Sequence, residues 1–304
     1  MKKRIRLSLF VMIVAIALSL SGCGSSSAEG QEIIEASEAA RLLQGENVVL
    51  VDMQSQEDYA RSHVQGAVNI PLAEIVINKP VDNMLAPAEQ IEAVLSEKGI
   101  GNDTAVIIYD NNNNMNAARL WWTLQVYGHP NAKVVSGGWS ALQGIGLEIT
   151  AEAPQVAAAA YTISAKKEES IADLEDIINQ LNNPDKNVVI LDTRSPEEYA
   201  EGRIPGAILM NYLDNNFSDG AYKPVQHIKI QYLENGIAPE KTIIMYCRTS
   251  VRASQTYLAL YNAGYRNLKV YDGAWLEWTS YKELPVEMPA GSEVDIAPGP
   301  MDMS

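Results

Sequence analysis

The sequence predicts an α/β protein made of two tandem copies of one domain, each a mainly parallel sheet flanked by helices. Three observations lead there. The 304 residues suit two units at about 150 residues each. The chain also repeats itself: Val48-Val-Leu-Val-Asp52, Asp58-Tyr59-Ala60 and Gly66-Ala67 recur at a constant offset as Val188-Val-Ile-Leu-Asp192, Glu198-Tyr199-Ala200 and Gly206-Ala207. Finally, short β-rich apolar runs alternate with stretches of helical period, as in strands buried on both faces between crossover helices.

The N-terminus reads as a targeting signal over residues 1–22. Met1 to Arg6 is basic, Leu7 to Leu20 is almost wholly apolar, and small residues close the stretch before Cys23. The apolar run of about 14 residues is short of the ~20 needed to cross a bilayer, so a permanent span is the weaker reading. Leu20-Ser21-Gly22-Cys23 resembles a bacterial lipobox. That implies cleavage before Cys23, acylation there, and an extracytoplasmic protein held at the cell membrane by its lipid. Residues 23–30, with three consecutive serines, read as a flexible tether.

The first domain is expected over residues 31–150, a Pro/Ala-rich linker over 151–160 and the second domain over 161–285. Within domain 2 the pattern predicts a helix over Ile171 to Leu181, strands over Val188 to Leu191 and Ile243 to Tyr246, and a helix over Ala253 to Tyr261. Val106-Ile-Ile-Tyr-Asp110 recurs as Ile243-Ile-Met-Tyr-Cys247, and Ser136-Gly-Gly-Trp139 as Asp272-Gly-Ala-Trp275, at slightly shorter offsets that mark small indels. Two copies at this spacing mean a duplicated domain rather than a solenoid. Residues 286–304, rich in Pro, Gly and acid, read as a disordered tail.

A chain that is 47% hydrophobic and 20% charged falls in the ordinary globular range, which argues against global disorder. The net charge of −15 becomes more negative when Lys2, Lys3, Arg4 and Arg6 leave with the signal. Such a surface repels phosphate backbones, which excludes nucleic acid as a partner. His63, His129 and His227 lie far apart without metal-ligand spacing, so neither a metal site nor a catalytic triad is expected. Trp121, Trp122 and Trp275 read as core residues.

Cys23 and Cys247 are the two cysteines. An acylated Cys23 cannot pair with Cys247, which leaves Cys247 as a free thiol outside the cytoplasm. The stretch Tyr246-Cys247-Arg248-Thr249-Ser250-Val251-Arg252-Ala253 follows an apolar strand and precedes a helical run. Cys247 is thereby placed where the sheet's carboxyl edge meets a helix N-terminus, an edge where open α/β folds bind ligands. Loop amides, the helix N-terminus, Arg248 and Arg252 would form an electropositive cradle that favours the nucleophilic thiolate. A buried structural thiol is the alternative.

Taken together, Leu191-Asp-Thr-Arg194, Glu197-Glu-Tyr199, Arg203-Ile-Pro-Gly206-Ala207, the Cys247 to Arg252 loop and Asp272-Gly-Ala-Trp275 resemble the rhodanese family. Domain 1 carries the matching His63-Val-Gln-Gly-Ala and Arg119-Leu-Trp-Trp122. The resemblance spans nearly everything between tether and tail, and it rests on several motifs in order and in duplicate. It implies a tandem thiosulfate or 3-mercaptopyruvate sulfurtransferase that needs no cofactor. Cys247 would carry sulfane sulfur as a persulfide between a small anionic donor and a thiol or cyanide acceptor. The amides and side chains of Arg248, Thr249, Ser250, Val251 and Arg252 would hold the anionic sulfur and the donor, with the Thr249 and Ser250 hydroxyls at the mouth. Arg194 falls on the position that meets the donor's anionic end, its alternative being an ion pair with Asp192 or Glu198. For Arg252 the alternative is a bond to backbone carbonyls, and for Arg248 a solvated surface charge.

Asp110 stands at the Cys247 position of domain 1, in a stretch one residue longer. It cannot form a persulfide, and its carboxylate would repel an anionic donor. Domain 1 is thus expected to be inactive and to cover one wall of the site. Two rival readings remain. A phosphatase or arsenate reductase on the same scaffold would have one more residue between Cys and Arg than the Arg248 to Val251 stretch seen here. A surface module that binds sulfane sulfur or a protein without turnover would keep the same loop.

Overall fold

A computed structural model describes residues 32–289. The leader, Cys23 and the tether, as well as residues 290–304, lie outside the described residues. In domain 1 the order is β1 (Ile33–Ile34), α1 (Ala36–Leu42), β2 (Val48–Asp52), α2 (Gln56–Arg61), β3 (His63–Val64), β4 (Val68–Asn69), β5 (Val76–Ile77) and β6 (Met84–Leu85). There follow α3 (Ala88–Glu97), β7 (Ala105–Tyr109), α4 (Met115–Val126), β8 (Ala132–Val135), α5 (Gly138–Gly144) and β9 (Ile149–Thr150). Domain 2 opens with β10 (Ile171–Ala172), α6 (Leu174–Asn182), β11 (Val188–Asp192), α7 (Pro196–Ala200) and β12 (Ile208–Leu209). It closes with α8 (Val225–Glu234), β13 (Thr242–Tyr246), α9 (Val251–Asn262), β14 (Leu268–Tyr271) and α10 (Ala274–Ser280).

Each domain is built on a five-stranded parallel sheet, ordered β1-β8-β7-β2-β4 in the first and β10-β14-β13-β11-β12 in the second. The central strands are the apolar, β-branched runs of the repeat. Val49 pairs with Val106, and Val189 with Ile243. Parallel strands need crossover helices, which cover both faces and explain why these strands are apolar throughout. Local signals start the helices: α6 has a capping box between Asp173 and Asp176, and α7 one between Ser195 and Glu198 with Pro196 in its first turn.

The two domains share a core. Helices α4 and α9, each following the loop at the carboxyl end of its domain's central strand, pack against one another. Trp121 of α4 meets Tyr257 and Tyr261 of α9 at ring-centroid distances of 6.2 and 5.3 Å. The largest apolar cluster runs from Val51 and Ile108 through Trp121 and Trp122 to Leu258 and Met245. The loops before α4 and α9 consequently face the same interdomain seam.

Three sequence expectations change at the edges. Ile171 and Ala172 are strand β10 rather than helix, because their backbones pair with Val270 and Tyr271. The connector extends past residue 160: Tyr161, Thr162, Ile163 and Lys167 donate their amides to Ser96, Asn102, Glu92 and Val126 of domain 1. Residues 286–289, expected in the tail, are instead tied to domain 2. Glu287 forms a β-bridge and an ion pair with Arg203, and its carboxylate accepts the Gly206 amide at 2.7 Å. Val286 also packs against the domain 2 core, and composition alone does not reveal these long-range partners.

Candidate active site

Cys247 follows the last residue of β13, and the loop Cys247 to Ser250 leads directly into α9. Its carbonyls are held from α10, where the Trp275 amide donates to Cys247 at 3.0 Å and the Leu276 amide to Arg248 at 3.2 Å. Ser250, the residue before α9, has φ 64°, the left-handed conformation that an L side chain adopts at a cost of about 1–2 kcal/mol. That turn swings the chain from strand into helix within a few residues.

The domain 1 copy shows what such a loop binds. Asp110 is buried, and its carboxylate accepts the amides of Asn112 at 2.8 Å, Asn114 at 3.0 Å and Ala117 at 2.9 Å. A loop and a helix N-terminus thus converge their N–H groups on one anion. Burial pushes the Asp110 carboxyl above the ordinary aspartate range, while the amides of Ala117, Asn112 and Asn114 pull it the other way. Rather than repelling an anion at the mouth, Asp110 fills the cradle itself. The same carbonyl contact recurs, Trp139 N to Asp110 O at 2.8 Å. Asn114 takes the left-handed turn at φ 63°, one place later in the loop than Ser250.

Cys247 is 1% exposed. The cation beside it is Arg252, close enough for its charge to interact with the Cys247 thiol, and its guanidinium carbon lies 6.0 Å from the Tyr212 ring centroid. It also grips Glu198 in a two-pronged pair, Nη1 to Oε2 at 2.5 Å and Nη2 to Oε1 at 2.8 Å. Burial works against the Arg252 charge, but Glu198 and Cys247 raise its pKa above the ordinary guanidinium value. Conversely, the bond from Arg252 lowers the Glu198 pKa to about 2, against burial. Arg252 therefore pairs with an acid rather than with backbone carbonyls. Arg248 is exposed at the rim, and Val251 is buried as the first residue of α9.

Two expected site residues take other places. Arg194 is 2% exposed. Its Nε and Nη2 donate to the buried Asp192 carboxylate at 3.0 and 2.6 Å, and Nη2 reaches the Gly202 carbonyl at 2.7 Å. Its guanidinium carbon lies 4.3 Å from the Trp275 ring centroid. These contacts make it the ion-pair alternative rather than a donor contact, because a guanidinium sealed against an acid and an indole has little surface to offer a ligand. Ser250 is fully buried, so its hydroxyl is not at the mouth. It accepts from Arg119 Nη1 at 2.8 Å and stands 3.1 Å from Asp272 Oδ1. Thr249 is partly exposed and accepts from the Asn83 side chain at 3.2 Å.

Tyr212 and Asn83 go unnamed in the sequence reading, and Glu198, Arg119 and Asp272 enter it through the repeat, the shared motifs or an ion pair with Arg194, not as contributors to this loop. Glu198 carries a local signal as the acid of the α7 capping box, but its bond to Arg252 joins different segments. Asn83 and Arg119 belong to domain 1. The histidines sit elsewhere: His63 stacks on Tyr59, His129 bridges Thr104 and Tyr161, and His227 meets Phe217. Among the described residues, no group of three His, Cys, Asp or Glu side chains could hold a metal ion.

The rhodanese-like domain signature matches residues 35–144 and again 173–281. The chain belongs to the rhodanese family. It is 32% identical over 278 residues to a Saccharopolyspora erythraea protein named "Putative thiosulfate sulfurtransferase", covering 85% of this chain and 97% of that one. It is 29% identical over 265 residues to the thiosulfate sulfurtransferase of Azotobacter vinelandii, covering 84% and 97%. These names place this rhodanese among rhodanese-type enzymes. Solved structures share the fold: YnjE at TM-score 0.76 and 24% identity, covering 84% of this chain and 68% of that one, and wild-type EanB at 0.76 and 20%, covering 84% and 69%.

Proposed function

We propose that this rhodanese transfers sulfane sulfur from thiosulfate, or a similar anionic donor such as 3-mercaptopyruvate, to a thiol or cyanide through a persulfide on Cys247. The observation that carries the reading is the contrast between the two loops. The domain 1 cradle is filled by the Asp110 carboxylate, whereas its domain 2 counterpart holds a thiol beside Arg252. An anion-stabilising loop with a nucleophile in it suits a reaction whose intermediate is an anionic sulfur.

In the first half-reaction the Cys247 thiolate attacks the outer sulfur of thiosulfate. A new S–S bond forms as the old one breaks, and its electron pair leaves with sulfite. The outer persulfide sulfur inherits the negative charge, which the amides of the 248–252 loop and Arg252 balance. Arg248, exposed at the rim, meets the donor's sulfonate. In the second half-reaction the acceptor takes the outer sulfur, and the S–S bonding pair returns to Cys247 as thiolate. With cyanide the product is thiocyanate. No external oxidant or cofactor enters this balance.

The site of action proposed is the extracytoplasmic face of the cell membrane, with Cys23 as lipid anchor. The basic, apolar and small-residue order of Met1 to Cys23 supports this. Steady-state production of thiocyanate from thiosulfate and cyanide tests the activity. Turnover is expected in the wild type and not in Cys247→Ser, and a wild-type chain without turnover on either donor overturns the reading.

A further inference from the structure

We infer that Arg119, a residue of the domain without a nucleophile, is a positioning residue for the Cys247 cradle, acting through the left-handed residue Ser250. The inference concerns how the loop is shaped and rests on the proposed role of that loop. Arg119 springs from α4 and is 0% exposed. Its Nη1 donates to Ser250 Oγ at 2.8 Å, and its Nη2 donates to Asp272 Oδ1 and to the Asn83 carbonyl, both at 2.9 Å. The guanidinium carbon is 4.6 Å from the Trp122 ring centroid. The side chain is therefore fixed by an acid, a carbonyl and an indole, and it presents one N–H across the domain boundary to the loop that carries the thiol.

Ser250 needs that help. At φ 64° a residue with a Cβ is strained, and glycine would sit there without penalty. The serine hydroxyl offsets the strain only if its bonds are made. It accepts from Arg119 and lies 2.6 Å from the Thr249 carbonyl and 3.1 Å from Asp272 Oδ1. Asp272 also accepts the Leu85 amide at 2.7 Å. Two segments of domain 1, α4 through Arg119 and the 83–85 stretch through the Asn83 carbonyl and the Leu85 amide, thus hold the one backbone turn that leads from the Cys247 loop into α9. In domain 1 the equivalent left-handed residue, Asn114, is tied in the same sense, donating its side-chain amide to Gly220 of domain 2 at 2.7 Å. Each domain holds the other's turn.

The test is a double-mutant cycle on the full chain between Arg119→Gln and Ser250→Gly. Its readouts are the alkylation rate of Cys247 by iodoacetamide and the hydrogen exchange of the 248–252 amides, alongside melting temperature. Arg119→Gln should slow alkylation about tenfold and speed loop exchange in the Ser250 chain, the scale expected for losing a charged donor to a buried hydroxyl. In the Ser250→Gly chain, where glycine takes the turn unaided, the same substitution should change either readout less than about threefold. Arg119→Lys, which keeps charge beside Asp272 but cannot serve all three acceptors, guards against a Gln variant that does not fold and should show the same dependence on Ser250. If Arg119→Gln or Arg119→Lys has equal effects in both backgrounds, or none in either, the positioning role is wrong. Neither readout needs a sulfur donor, so failure of the proposed activity and failure of this inference are separable.

Discussion

Replacing Arg194 by alanine would leave the Asp192 carboxylate, 0% exposed, without its guanidinium partner. Breaking a buried pair from one side costs about 3–5 kcal/mol. Asp192 would keep the Tyr246 hydroxyl at 2.7 Å and the amide of residue 194 at 3.0 Å, which puts the loss near the lower end, about 3 kcal/mol. For a chain of this size that is a fall in melting temperature of roughly 6–12 °C. Domain 1 supplies the control. There Gln54 occupies the matching place and donates to Asp52 at 2.8 Å, with Tyr109 also donating to that carboxylate. Arg194→Gln should therefore lose only about 1 kcal/mol. The assay is thermal melting of both variants, together with transfer from thiosulfate and from a neutral persulfide donor well below the melting temperature. Both donors should be affected alike. If Arg194→Ala melts like the wild type while thiosulfate transfer alone falls tenfold or more, the residue is a donor contact and the ion-pair account is refuted.

The Glu198 carboxyl, lowered to about 2, stabilises the fold above its ordinary value near 4.5 and loses that contribution as pH falls from there toward 2. Its side chain is 31% exposed, so screening reduces the effect to about 1–2 kcal/mol. The melting difference between wild type and Glu198→Gln should narrow steadily with acidification, and a gap independent of pH would show that charge is not involved. Asp110→Ala should lower stability by about 1–3 kcal/mol through the orphaned amides and leave thiocyanate production unchanged, whereas a loss of activity equal to that of Cys247→Ser would break the one-site account. Cys23→Ala chain should be recovered without lipid and outside the membrane fraction, and acylated protein there would refute the anchor.

Strand and helix order were legible in the sequence because both signals are local and occur twice. The runs Val48 to Asp52 and Val188 to Asp192 align the copies, and the strand–Cys–helix order places Cys247 at the carboxyl edge without any tertiary information. What escaped were contacts between distant segments. Glu198 and Arg252 meet across the loop, Arg203 and Glu287 close the end of domain 2, and Arg119 crosses between domains. Arg194 and Ser250 were placed in the right segments, but their side chains are not held as donor contacts. Arg194 takes the alternative that its neighbour Asp192 already offered, a buried ion pair. For Ser250 a left-handed φ turns the hydroxyl toward domain 1, a conformation no residue-level pattern announces for serine.

The central claim is that Cys247 is the sulfur carrier and that the Asp110 loop is not, and peptide-resolved mass measurement after brief exposure to thiosulfate tests it most directly. The account predicts one added sulfur atom on the Cys247 peptide of the wild type and of Asp110→Ala, its removal by cyanide, and no gain anywhere in Cys247→Ser. Turnover by a wild-type chain whose Cys247 never carries the extra sulfur, or added sulfur that persists in Cys247→Ser, would contradict it.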